Sequence, residues 1–535
     1  MTIPEAVLVG SNGEVRVAVA EPAHPGLGWR GAAAVLSGLL LAAAFPSLDF
    51  GPLAWVGFVP LLRAIEGRTP ARGFFLGWLT GVTFYLATTN WVGYTIMHYT
   101  DVPWPVAMGI VLIMASALAC YHGAFAAGIR LFQRSGRDIV WLAAPLWVTL
   151  EWLRGWFFIG FPWASLGYSQ HRAHDLVQIA EVTGVYGVSA VLILFNVVVA
   201  EVLRQRGRDA RKLLPGLVTI TILVAVLPAL GRWRVAALER EPIVGSMKVG
   251  LVQGNVEQDQ KWNLAFQDET MSRYRKLTLE AAHAGAQLII WPETAVPFFF
   301  QEPGQRRDDV FDLAKEAGVP LLIGAPAFDR TPDHQIVQRN RAYLIDPSGR
   351  ELGTYDKIQL VPFGEYVPFQ QVLFFVSRMV TAVGTIGAGT ATTVFEVPGG
   401  RFGTLICYEG VFPALTREFI NDGGDFLVNI TNDAWYGRTA APHQHLIQAS
   451  FRAIENRVPL VRAANTGISA VVDPDGHIRW QGPLFEMLWH VEEIRWTDTR
   501  TFYTRFGDVF VWLCALVTAL GVILTLGRRG ARKTH

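Results

Sequence analysis

The chain has 535 residues, of which 51% are hydrophobic and 17% charged, and its formal net charge is +1. An ordinary soluble domain carries about 25% charged residues, so this composition, with a mean hydropathy of +0.29, excludes a wholly soluble protein. The near-neutral charge gives no support for nucleic-acid binding.

Residues 1–29 lack the basic start and apolar core of a signal peptide and read as a short, weakly ordered tail. A spanning helix needs roughly 20 mostly apolar residues. Eight such spans are expected, near 31–47, 51–66, 73–91, 104–132, 138–155, 175–202, 213–231 and 508–527. The second is short and contains Pro60; the fourth is long enough to tilt or to extend past the bilayer. The 18 Trp and 32 Phe suit the aromatic belts of bilayer interfaces.

Cytoplasmic loops are enriched in Lys and Arg. Arg63, Arg68 and Arg72 follow the second span, and Arg130, Arg134 and Arg137 follow the fourth. Arg204, Arg206, Arg208, Arg211 and Lys212 follow the sixth, and Arg528, Arg529, Arg532 and Lys533 end the chain. The alternate loops are poor in such residues. This places both termini in the cytoplasm and the stretch 232–507 on the outer side. The expected organisation is 1–231 as tail and seven spans, 232–507 as an extracytoplasmic domain, and 508–535 as a last span with a basic tail.

The 232–507 stretch reads as an α/β domain. Apolar runs of strand length recur at 247–253, 287–291, 320–323, 403–407 and 426–430. Helical stretches at 266–284 and 308–317 lie between them. Asn340 to Gly349 and Asn465 to Gly476 each run from a strand into an Asp-Pro-x-Gly turn, a hairpin signal. Two such units suggest a sheet sandwich with internal pseudo-symmetry.

Of the three cysteines, Cys120 and Cys514 lie in apolar runs, which argues against a disulfide framework. Cys407 ends the apolar strand Phe402-Gly403-Thr404-Leu405-Ile406 and precedes Tyr408-Glu409-Gly410. A strand end holds a nucleophile rigidly and opens it to substrate; the other reading is a buried, inert thiol. Glu293 follows the strand Leu288-Ile289-Ile290-Trp291, where desolvation can turn a carboxylate into a general base; the other reading is a capping or salt-bridged glutamate. Lys357 precedes an apolar, aromatic segment that contains Glu365, and partial burial beside that carboxylate is expected.

The ordered motifs Trp291-Pro292-Glu293-Thr294, then Asp356-Lys357 before Pro362-Phe363-Gly364-Glu365, then Ile406-Cys407-Tyr408-Glu409 resemble the nitrilase superfamily and its Glu-Lys-Cys triad. Joined to the spans, and with Gly160-Phe161-Pro162-Trp163, Gln253-Gly254-Asn255, Lys261-Trp262 and Asn432-Asp433-Ala434-Trp435, the chain resembles bacterial apolipoprotein N-acyltransferases over nearly its whole length. The resemblance implies an α-helical polytopic membrane domain of about eight spans carrying an α-β-β-α sandwich on the outer face. It implies Glu293 as base, Lys357 as oxyanion stabiliser and Cys407 as nucleophile. Glu365 would hold Lys357, Tyr408 and Glu409 would shape the pocket behind the nucleophile, and Asn432 would support the site. Trp262 resembles the family's tryptophan near the substrate entrance; the other reading is an interface-anchoring Trp.

The implied partners are a membrane phospholipid donor, with phosphatidylethanolamine as the expected headgroup, and a diacylated apolipoprotein acceptor in the bacterial inner membrane. No metal or cofactor is called for. His443 and His445 lack a third ligand at metal-binding spacing and read as polar residues at a helix start. Glu151 and Glu181 fall in or near apolar spans, where charges are functional candidates; both lie toward the outer ends of their spans and Glu151 can pair with Arg154, so structural anchoring is the other reading. The apolar segment 362–383 is expected to form an arm that dips into lipid and opens to substrate; the other reading is ordinary core packing. A membrane-anchored nitrilase-type hydrolase and a transporter or receptor with a catalytically dead outer domain remain as alternatives on the residues alone.

Overall fold

The computed structural model describes residues 6–9, 15–18, 27–157, 160–204, 214–330, 334–368 and 386–531. The expected arm at 362–383 falls largely outside them. In the tail, where no element was expected, β1 (Ala6–Val9) and β2 (Val15–Ala18) pair antiparallel. Four valines in these eight residues favour that extended backbone.

Four helices among the described residues are long and apolar enough to cross a membrane: Trp104–Arg134, Val185–Arg204, Leu214–Leu238 and Val509–Gly527. Leu27–Ala43, Pro70–Thr88 and Val140–Arg154 accompany them. Two expected spans are not continuous. The 51–66 region is a 3₁₀ turn, Gly51–Trp55, followed by a six-residue helix, Val59–Ala64, with Pro52 and Pro60 each at a helix start. The 175–202 region breaks at Gly184, whose φ of 62° leaves the helical region, and only Val185–Arg204 continues.

Small residues let two of these helices approach closely. Gly73, Gly77 and Gly81 recur every four residues on Pro70–Thr88 and face Trp104–Arg134. A side-chain carbon on Gly77 would meet the His122 carbonyl oxygen at 2.4 Å, and one on Gly81 would meet the Ala119 Cα at 2.7 Å.

The catalytic part contains twelve strands: β3 (Gly245–Gln253), β4 (Leu288–Ile290), β5 (Leu321–Arg330), β6 (Ile336–Ile345), β7 (Glu351–Asp356), β8 (Val394–Val397), β9 (Gly400–Ile406), β10 (Phe426–Thr431), β11 (Leu460–Ala464), β12 (Ala470–Val472), β13 (Ile478–Gln481) and β14 (Leu488–Trp496). They form two six-stranded sheets, ordered β14-β3-β4-β5-β6-β7 and β8-β9-β10-β11-β12-β13. The pairing pattern is the same in both: antiparallel, parallel, parallel, antiparallel, antiparallel. The two Asp-Pro-x-Gly units are the edge hairpins β6-β7 and β12-β13, at equivalent places in the two sheets. The pseudo-symmetry read from the turns is thus present in the topology.

Met247, Val249, Leu251, Ile290 and Leu344 of the first sheet share one buried cluster with Phe402, Leu405, Ile406 and Phe426 of the second. The outer face of the first sheet packs Ile289, Trp291, Ile323 and Tyr343 against the helices Leu264–His283 and Gln305–Ala317. Helices Pro413–Asn421 and Ala441–Asn456 cover the second. The result is an α-β-β-α sandwich.

Candidate active site

Glu293, Lys357 and Cys407 follow β4, β7 and β9, so the two sheets deliver them to one place. All three are buried: Lys357 is 1% exposed, Cys407 5% and Glu293 6%. The Lys357 Nζ lies 2.7 Å from Glu365 Oε1 and 3.4 Å from Glu293 Oε1. Glu293 is fixed on both oxygens, since Asn340 Nδ2 donates to Oε1 at 2.6 Å and the Asn432 backbone N–H donates to Oε2 at 2.9 Å. Glu365 Oε2 accepts from the Val361 N–H at 2.7 Å.

Burial opposes the Lys357 charge, but Glu365 and Glu293 outweigh it and hold the ammonium above the usual lysine range. Burial, then the Glu293 charge, push the Cys407 thiol up, against a smaller opposing pull from Lys357. The resting thiol is therefore protonated, and a nucleophile forms only when a base takes the proton. Cys407 opens the 3₁₀ turn Cys407–Val411 with φ 54°, a left-handed conformation that is costly for a residue with a Cβ.

Glu409 accepts four hydrogen bonds around the Cys407 turn. Its Oε1 accepts from the N–H groups of Ile358 and Gln359 and from Tyr355 Oη, at 2.7, 3.1 and 2.8 Å, and its Oε2 accepts from the Ile406 N–H at 2.6 Å. It ties the segment after Lys357 to the residue before Cys407. Burial pushes its carboxyl up to about 7 despite these donors. Tyr408 stacks on Trp163 with centroids 6.4 Å apart, and its hydroxyl donates to the Gly160 carbonyl at 3.4 Å. Asn432 Nδ2 donates to Gln258 Oε1 at 2.7 Å, and Asn432 Oδ1 accepts from Asn465. Trp262 stands apart from the three, 48% exposed, with its ring 6.0 Å from Lys261 Nζ.

Several residues join the site without having been expected there. Asn340 reaches Glu293 from β6. Lys261 is buried, and its Nζ donates to Thr294 Oγ1 at 2.6 Å and to the Glu293 carbonyl at 3.3 Å. Thr294 is another left-handed residue, with φ 47°. His443 and His445 lie in the first turns of helix Ala441–Asn456; His445 is fully buried, on the face that meets the Cys407 turn, and His443 is exposed. Glu151 does not ion-pair directly with Arg154. Its Oε1 accepts from the Leu166 N–H at 2.7 Å, while Arg154 donates to Tyr85 Oη, the Trp163 carbonyl and Ser165 Oγ. Both residues brace the 160–166 loop on which Tyr408 rests. Glu181 bonds Arg234 and Arg457 and so joins helix Leu214–Leu238 to the catalytic part. Among the described residues, no group of three or more His, Cys, Asp or Glu could hold a metal ion.

Residues 37–198 match the family model described as apolipoprotein N-acyltransferase N-terminal domain, and residues 248–499 match the one described as carbon-nitrogen hydrolase. An apolipoprotein N-acyltransferase of Geobacter metallireducens is 41% identical over 93% of this chain and 95% of its own. One from Gloeobacter violaceus is 33% identical over 94% of this chain and 95% of its own. The chain belongs to the apolipoprotein N-acyltransferase family. The crystal structure of an amidase from Nesterenkonia sp. aligns at 20% identity over 50% of this chain and 95% of its own, with a TM-score of 0.37. Within this chain, the carbon-nitrogen hydrolase match takes in Glu293, Lys357 and Cys407 together, and the N-terminal match takes in Glu151, Arg154 and the 160–166 loop.

Proposed function

We propose that the chain moves a fatty acyl group from a membrane phospholipid to the α-amino group of the S-diacylglyceryl cysteine that begins an apolipoprotein, through a thioester on Cys407. The observation that carries this is the meeting of a buried thiol, a doubly anchored carboxylate and a buried, carboxylate-held ammonium at the strand ends of a chain of this family.

Glu293 takes the Cys407 proton, and the thiolate attacks the acyl carbonyl of the phospholipid. Lys357 faces the oxyanion, and such a preorganised donor contributes about 3–4 kcal/mol. The tetrahedral intermediate collapses, Glu293 returns the proton to the departing oxygen, and lysophospholipid leaves. The acceptor amine then attacks the thioester. Glu293 takes the amine proton and delivers it to the leaving sulfur, which restores the thiol. Splitting the transfer this way spares the site from holding both lipids at once, and phosphatidylethanolamine is the donor expected.

The setting proposed is the bacterial inner membrane, crossed eight times, with both termini cytoplasmic and 232–507 periplasmic. Two features support it. Helix Pro70–Thr88 has 19 residues, about 28 Å at 1.5 Å per residue, close to a bilayer's hydrocarbon thickness. Near its start Arg30, Arg68 and Arg130 gather, with Arg130 Nε on the Arg68 carbonyl. At its other end the Thr88 carbonyl accepts from Gln444 of the catalytic part at 3.1 Å. Basic residues and active site thus lie at opposite ends of one helix, as a positive-inside orientation requires.

The test uses purified protein in detergent with phospholipid and a diacylated lipopeptide. Triacylated peptide is the expected product. Free fatty acid in its place points to a hydrolase, and neither product points to a binding role.

A further inference from the structure

The left-handed Cys407 turn is held from below by a buried polar cluster that plays no part in the proton transfers above. The Cys407 carbonyl oxygen accepts from His445 Nε2 at 3.1 Å and from Asn429 Nδ2 at 3.3 Å. His445 Nδ1 lies 3.0 Å from Asp433 Oδ1 and 3.1 Å from Arg462 Nη2. Arg462 also donates to Asp433 Oδ2 at 2.8 Å and to Asn429 Oδ1. His445, Asp433, Asn429 and Arg462 are all fully buried.

A carbonyl oxygen can only accept, so Nε2 carries a proton in every arrangement that keeps its bond to Cys407. Burial, and then Arg462, hold His445 below the usual histidine range. Nε2 donates to the Cys407 carbonyl, while Nδ1 sits between Asp433 Oδ1 and Arg462 Nη2. Burial works against the Asp433 charge, but Arg462 and His445 overcome it and hold the carboxyl well below its usual range. Asp433 and Arg462 therefore fix the ring, and the ring fixes the carbonyl.

Resting on the reading of Cys407 as nucleophile, we infer that His445 is a positioning residue for it: its Nε2–H locks the Cys407–Tyr408 peptide plane and with it the strained turn that aims the thiol. Carbonyl and N–H point in opposite directions across a planar peptide, so the same bond sets where the Tyr408 N–H points. His445 touches neither substrate nor sulfur in this role. Its loss acts on kcat rather than on substrate binding. A one-residue change of backbone angle at Cys407 swings the sulfur away from Glu293 and Lys357 without altering where lipid binds.

The experiment compares His445→Leu and His445→Gln in the full-length protein in detergent. A glutamine amide can present a donor near the place of Nε2; leucine cannot. The readouts are acylation of Cys407 by phospholipid alone, kcat and KM for the full transfer, and the thermal melt. His445→Leu should slow acylation by roughly tenfold, the scale of one buried hydrogen bond lost from the turn while Asn429 still donates to the carbonyl, with KM unchanged. His445→Gln should recover most of the rate. Parent-like acylation in His445→Leu overturns the inference. So does an equal loss in both variants that tracks a lowered melt, because that marks a packing role only. Cys407→Ala serves as the separate control: if it still transfers acyl groups, the reading of the site itself fails, whatever His445 does.

Discussion

Replacing Glu365 by Gln should weaken both the fold and the chemistry, because Lys357 has no water to fall back on. Two carboxylate oxygens stand 2.7 and 3.4 Å from its Nζ. At an effective dielectric near 20 these attract it by about 6 and about 5 kcal/mol before desolvation is subtracted. Breaking one side of a buried ion pair costs about 3–5 kcal/mol. The glutamine carbonyl can still accept from Nζ, so Glu365→Gln should lie near the lower end, about 3 kcal/mol. Lys357 is then left to Glu293 alone, and a Glu293 carboxylate more tightly held by the ammonium is a poorer base for the Cys407 thiol. Denaturant unfolding in detergent reads the first effect, and the acylation rate of Cys407 reads the second, with a fall of at least about tenfold expected. Adding Lys357→Met to Glu365→Gln removes the stranded ammonium, so the double variant should regain part of the lost stability while remaining inactive. The reasoning is refuted if Glu365→Gln unfolds and acylates like the parent, or if the two substitutions are simply additive in stability.

Two further outcomes follow from the same structure. Burial pushes the Lys261 ammonium down to about 7, whereas an exposed lysine keeps its proton to 10.5. Between those values the unfolded chain binds a proton that the folded protein has released, so stability rises with pH there and this contribution is lost as pH falls through 7; Lys261→Met should flatten the rise in melting temperature from pH 7 to 9, and an unchanged profile would remove Lys261 as its source. For topology, single cysteines at Ser135 and Ser348, in a background without reactive native thiols, should label differently in intact spheroplasts: an impermeant reagent should reach Ser348 and not Ser135, and equal labelling would contradict the proposed orientation.

The residues that bear the proposed chemistry were legible in the sequence because two of them follow apolar runs and the third follows a marked turn. Glu293 and Cys407 close β4 and β9, and Lys357 follows a hairpin whose Asp-Pro-x-Gly turn is explicit. Paired Asp-Pro-x-Gly turns also announced the repeated sheets. What hid was everything that depends on distance along the chain. Asn340 meets Glu293 across 47 positions, and nothing in its neighbours marks it as the partner of a carboxylate. His445 was legible as a polar residue at a helix start, but not as a buried one, because the helix phase that buries it is set by contact with the Cys407 turn. Lys261 stood beside Trp262, and the aromatic drew attention to the exposed member of the pair. The continuous spans were readable wherever an apolar run was unbroken, as in Trp104–Arg134. Hydropathy averages over a window, so it passed over the left-handed Gly184; Pro60 was visible in 51–66, but not that the region divides into two short pieces.

The central claim is that Cys407 carries the acyl group between donor and acceptor. Intact-mass spectrometry of the full-length protein incubated with phospholipid alone tests it directly. The account predicts protein heavier by one acyl chain, an adduct removed by hydroxylamine at neutral pH, acyl transfer when lipopeptide is then added without further donor, and neither adduct nor transfer in Cys407→Ala. Full transfer activity in Cys407→Ala would contradict it.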